Sequence, residues 1–149
     1  ARDALGMFGA WGAFRDAAVP RCYAIAASTS HRGNARHRRD RTALADTPYA
    51  DIATWPRRAI RGQFHVHLGR QVATATLSIN GEHFRLAATG ADAWAADARM
   101  DAAITAAMRS ASGMSISAKD ASGRSFAQSW SLDGAATAMD AALLGCARS

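Results

Sequence analysis

The chain has 149 residues, 49% of them hydrophobic and 20% charged, which suits one globular domain with a sizeable core and excludes a disordered tail. Eighteen Lys+Arg against twelve Asp+Glu leave a net charge of +6, so anionic partners are favoured. No apolar run reaches the roughly 18 residues of a membrane-spanning helix, and two cysteines are too few for a four-thiolate zinc site.

Taken in chain order, residues 6–15 read as a glycine-rich opening strand, and Val19 to Ala27 as a second strand carrying Cys22, Tyr23 and Ile25. A basic segment follows. His31 to Arg41 holds Arg36, Arg38, Arg39 and Arg41 and no large apolar residue, so a flexible surface loop is expected over about 29–47. No regular element is assigned from there through Pro48 and Pro56. Trp55 is flanked by loop-like sequence, and Arg57, Arg58 and Arg61 form a second basic cluster just after it.

The clearest periodicity comes next. Gln63 to Leu68 alternates, with Phe64, Val66 and Leu68 on one face and His65 and His67 on the other. Thr74 to Ile79 alternates likewise, turning Thr74 and Thr76 outward and Leu77 and Ile79 inward. Asn80-Gly81 is a type I′ hairpin signal, and the chain then returns with Phe84 and Leu86 inward and Arg85 outward. This pattern predicts an antiparallel meander that buries all seven apolar residues on a single sheet face. The period then becomes helical over 97–109, with Asp97 as the cap and Met100, Ile104, Ala107 and Met108 as the apolar stripe. Met114 to Ala118 and Arg124 to Leu132 form a closing hairpin. An alanine-rich helix follows over 134–144, and Gly145 is expected to end it. Seven or eight short strands, two short helices and no βαβ alternation predict an antiparallel β-sandwich with two short helices in a single domain.

The sequence is poor in chemistry. No G-x-S-x-G elbow and no G-x-x-x-x-G-K-[ST] loop occurs, and neither cysteine has a local base. His65 and His67 share one strand face, but no Asp or Glu of the same strand supports them. A histidine-based metal protein is therefore the weakest alternative, and no cofactor, metal site or enzymatic activity is expected. Nucleic acid is disfavoured because no aromatic residues interleave with the arginines to stack bases. The expected sites are Arg36, Arg38, Arg39, Arg41, Arg57 and Arg58 for an anionic membrane or polymer surface, and Trp55 and Trp94 for a protein interface. In an oxidising compartment Cys22 and Cys146 are expected to form one disulfide that closes a loop of about 125 residues; the alternative is two buried free thiols. The chain opens at Ala1 without the basic, apolar and small-residue blocks of a signal peptide, as expected of a processed export or of a trimmed chain.

Several segments together resemble the invasion-associated locus B family of secreted proteobacterial proteins. They are Phe8-Gly9-Ala10-Trp11, Arg21 to Ile25, Leu77 to Gly81, Met100 to Ile104, and Ser129 to Gly134 followed by Ala135 to Ala142. The resemblance implies a periplasmic or secreted cell-envelope protein with a β-sandwich core and no known catalytic centre. It is expected to bind a protein partner in the envelope, as an accessory subunit of a membrane-associated assembly. The family usually carries a cysteine pair just before its short helix. Here Gly90-Ala91-Asp92-Ala93-Trp94 holds none, so the Cys22–Cys146 pairing does not follow from the resemblance.

Overall fold

The computed structural model describes residues 2–29 and 47–147. Two antiparallel sheets face each other, with two helices filling the rest of the interior. The larger sheet has seven strands in the order β1-β2-β3-β4-β5-β9-β8. These are β1 (Arg2–Phe8), β2 (Trp11–Asp16), β3 (Arg21–Ala27), β4 (Tyr49–Trp55), β5 (Ile60–His67), β9 (Asp92–Trp94) and β8 (Ala87–Thr89). The smaller sheet runs β11-β10-β6-β7, built from β11 (Ser125–Ser131), β10 (Gly113–Asp120), β6 (Val72–Ile79) and β7 (Glu82–Arg85). Helix α1 (Ala98–Ser110) rests on β5, and α2 (Ala135–Cys146) rests on β1, β2 and β3. The predicted β-sandwich with two short helices is the observed architecture. Of the expected loop over 29–47, residues 30–46 lie outside the described residues, and with them Arg36, Arg38, Arg39 and Arg41.

The alternation in the middle of the chain is correct, and so is the hairpin pairing of β6 with β7, but the expected pairing of β5 with β6 is not. Phe64, Val66 and Leu68 are buried, as are Leu77, Ile79 and Leu86, while Phe84 is half-buried. They do not share a sheet face. β5 belongs to the large sheet and β6 and β7 to the small one, so the two apolar sets meet across the core. The switch occurs at 68–72, where Leu68 N–H donates to Ala91 O and Val72 N–H donates to Gly90 O, both partners lying in the β8–β9 hairpin. Period-two burial requires an apolar layer opposite but does not say which strand supplies it. Asn80-Gly81 does form the tight turn, with φ of 51° and 78°.

Other boundaries shift for identifiable reasons. The single opening strand over 6–15 is two strands, which turn at Gly9-Ala10, where Ala10 N–H donates to Asp133 O at 3.0 Å. β4 escapes the period-two reading because its inward side is only Ala50, Ile52 and Thr54, and its other side holds Asp51. Gly145 does not end α2. The helix runs on to Cys146 and passes so close to β1 that a Cβ on Gly145 would meet Leu5 Cδ1 at 2.6 Å. Glycine is there for close approach rather than for termination.

Two tryptophans join the sheets. Trp130 donates its indole N–H to Ala26 O at 3.0 Å, and Trp11 donates to Ser131 O at 2.8 Å. Both rings are fully buried, and small residues such as Ala24, Ala26 and Ala50 on the inner side of the large sheet leave depth for them. The cysteines are joined, Cys22–Cys146, with Cα atoms 5.9 Å apart. This bond pins the last turn of α2 to β3. In the chain-entropy picture, a loop of this length stabilises by about 4–5 kcal/mol. The Cys22→Ser/Cys146→Ser double variant should lose that amount in urea unfolding, and reductant should bring the wild type to the same midpoint. Equal stability with and without reductant would contradict the tether's role.

Candidate binding face of the large sheet

The outer face of the large sheet carries a connected row of polar and aromatic side chains. It arises from register. Asp51 of β4 lies opposite His65 of β5, which lies opposite Trp94 of β9, and in the next row Tyr49, His67 and Asp92 line up in the same way. These residues alternate with Ala50, Phe64, Val66 and Ala93, which point into the core, so burying one set presents the other.

His65 is held between two carboxylates. Its Nδ1 is 2.7 Å from Asp51 Oδ2 and its Nε2 is 2.9 Å from Asp92 Oδ1. An imidazole donates from both nitrogens only when protonated. Burial disfavours that charge, but the hydrogen bonds and charges of Asp51 and Asp92 outweigh it, and the pKa of His65 is raised above its ordinary 6.5. Asp92 also takes His67 Nδ1 at 3.0 Å. Its burial acts to raise its pKa, but the two histidines lower it below the usual carboxylate value. Tyr49 stacks on His67 at 5.3 Å between ring centroids, and Trp94 lies 5.1 Å from His65. Burial, then Asp51 and Asp92, raise the pKa of the Tyr49 hydroxyl.

A ladder of arginines and rings continues from this cluster. Arg21 reaches Asp51 at 3.6 Å and lies over both Tyr23 (4.1 Å) and Trp55 (4.9 Å). Arg58 covers Trp55 at 4.9 Å. In the other direction Tyr23 stacks on Phe14 at 5.6 Å and accepts a hydrogen bond from Arg2 at 3.0 Å, and Arg2 in turn lies over Phe14. Guanidinium planes stacked on rings keep their in-plane donors available while the side chains stay ordered.

The expected site residues therefore divide. Trp55 and Trp94 both lie on this face, half-buried, and within strands rather than loops. Arg57 and Arg58 sit on the single helical turn Pro56–Arg58, exposed, with Arg58 on Trp55. His65 and His67 do have carboxylate support, contrary to expectation, because the carboxylates come from neighbouring strands. His83 is not near them. It lies on β7 in the other sheet, paired with Ser78 at 2.9 Å. Asp51, Asp92, Tyr49, Arg21 and Tyr23 were not singled out from sequence. The one available signal was Asp51, a lone acid amid Ala50, Ile52 and Ala53. Among the described residues no group of three or more His, Cys, Asp or Glu is placed to hold a metal ion, and no helix is long and apolar enough to cross a membrane. His65 turns both nitrogens to carboxylates rather than to a shared point. Compared with known proteins, the chain matches no family model, no curated protein and no solved structure.

The cluster sets a pH window for stability. A histidine whose folded pKa is raised stabilises fully below about 6.5 and loses that contribution as pH rises through its folded value. Asp92, with a lowered pKa, stabilises above about 3.8 and loses its contribution as pH falls through its folded value. Melting temperature should therefore decline from pH 6.5 into the mildly alkaline range in the wild type, and His65→Gln should flatten that decline. A variant with the wild-type slope would remove His65 from the account.

Proposed function

We propose that this chain is a non-enzymatic, exported cell-envelope protein that acts by binding, as an accessory subunit of a protein or membrane-associated assembly. Its partner docks on the outer face of the large sheet. The observation that carries this reading is the Arg2–Phe14–Tyr23–Arg21–Trp55–Arg58 ladder, continued by Tyr49, His67, His65 and Trp94. Arginine, tyrosine and tryptophan are the residues in which interface binding energy concentrates, and here their neighbours hold them rigid before any partner arrives. The Cys22–Cys146 bond supports an oxidising compartment. The resemblance to invasion-associated locus B proteins supports the envelope.

A second reading is adhesion to an anionic lipid or polymer surface. It is favoured by Arg57 and Arg58, which are exposed side by side beside Trp55, and by the arginine-rich segment that precedes β4. Affinity capture from native envelopes, followed by titration of the captured protein, separates the two. In the first reading Trp55→Ala weakens binding by roughly thirtyfold, the size of a single hot-spot loss. Raised salt then has little effect. In the second, Trp55→Ala matters little, while 0.5 M salt or replacement of Arg57 and Arg58 by Ser abolishes retention on anionic vesicles. Undiminished binding by Trp55→Ala at high salt would exclude this face.

A further inference from the structure

A second feature lies on the opposite, inner side of the large sheet and is independent of the proposed partner face. The two helices do not close over the sheet. α1 is held to β5 by Asp101, which accepts Phe64 N–H at 2.8 Å, and α2 is held to β3 by the disulfide. At their rims the helices are joined by Arg109–Asp140 at 2.8 Å. Between them a cleft of about 230 Å³ remains over Ile52, walled by Ala102, Met139, Ala142 and Leu143. Its charged lining residues are Arg61 and Arg109, both exposed to solvent. Arg109 is engaged by Asp140. Arg61 has no ion pair, hydrogen bond or ring contact among the described residues. A second depression of about 310 Å³ begins on its other side and shares Thr54, Arg61 and Leu143 with the first, so Arg61 stands between the two.

We propose that this cleft binds a straight-chain fatty carboxylate, with the alkyl chain over Ile52 between the helices and the carboxylate on the Arg61 guanidinium. Size supports the assignment. An apolar cavity of about 150 Å³ takes up benzene, so the cleft has room for a chain of roughly eight carbons. Charge supports it as well. The wall is mostly alanine and aliphatic, with Thr54 and Thr105 as its uncharged polar side chains, while the mouth holds one committed arginine and one uncommitted one, and guanidinium pairs with carboxylate through two parallel hydrogen bonds. A neutral or cationic amphiphile would leave Arg61 without a partner. A bulkier head group would face Arg109 and Asp140 already joined across the rim.

Calorimetric titration of the purified chain with octanoate and with 1-octanol tests this. Octanoate should bind saturably at one site per chain, about tenfold more tightly than 1-octanol, the difference expected for one charge-assisted contact. Arg61→Gln should remove that tenfold preference and leave 1-octanol unchanged. Ala102→Trp, placed on the exposed wall of the cleft, should abolish binding of both, while Trp55→Ala on the outer face should change neither. No saturable binding of octanoate would overturn the proposal. So would equal affinity for acid and alcohol, or full binding by Ala102→Trp. Arg61→Gln sits on the surface and keeps the test decisive if Ala102→Trp folds poorly.

Discussion

The outer face of the large sheet depends on one buried carboxylate. Asp51 is only 2% exposed, on a central strand, with alanines before and after the isoleucine that follows it. A carboxylate in that position must be compensated, and stripping a partner from a buried ion pair costs about 3–5 kcal/mol. Arg21 on one neighbouring strand and His65 on the other supply the compensation. Each brings further contacts. His65 reaches Asp92 through its other ring nitrogen, and Asp92 in turn orients His67. Arg21, drawn toward Asp51, is laid between Tyr23 and Trp55. One buried charge thus orders residues from four strands on a surface that would otherwise be a set of independent side chains. Order of this kind lowers the entropy lost when a partner binds.

The interior explains why that face can be rigid. Alanines in β3 and β4 make room for Trp11 and Trp130, whose indole N–H groups bond backbone carbonyls of the opposite sheet. Gly145 lets α2 approach β1, and the disulfide fixes its last turn to β3. The same economy of side-chain volume leaves the space between α1 and α2. Ala98 and Ala102 on one helix and Ala142 on the other are too short to meet over Ile52. Dense packing under the outer face of the large sheet and a gap at the helix end are thus two results of one alanine-rich composition.

Much of the fold was legible in the sequence because large aliphatic residues mark their own period. Phe64, Val66 and Leu68, then Leu77 and Ile79, announce half-buried strands, and Asp97 with Ile104 and Met108 announces a helix. Partner choice was not legible. Alternation says that Val66 points inward, not that Leu77 faces it from the other sheet. Strands built on alanine, such as β4, or only three residues long, such as β8 and β9, carry little signal. The site was hidden for the same reason. His65 and His67 lacked acids along their own strand, and only the pairing of β5 with β4 and β9 brings Asp51 and Asp92 to them. Trp55, Trp94 and Arg58 stand out in the sequence by residue type, while Arg21, which also lies over Trp55, and its link to Asp51 became visible only in three dimensions.

The central claim is that the outer face of the large sheet is where the partner sits. Hydroxyl-radical footprinting of the chain, isolated and associated with native envelopes, tests it most directly. The account predicts protection of Trp55, Trp94 and Tyr49 on association, with the outer face of the small sheet, including His83, unchanged. Protection confined to the small sheet, or an unaltered pattern at Trp55 and Trp94, would contradict it.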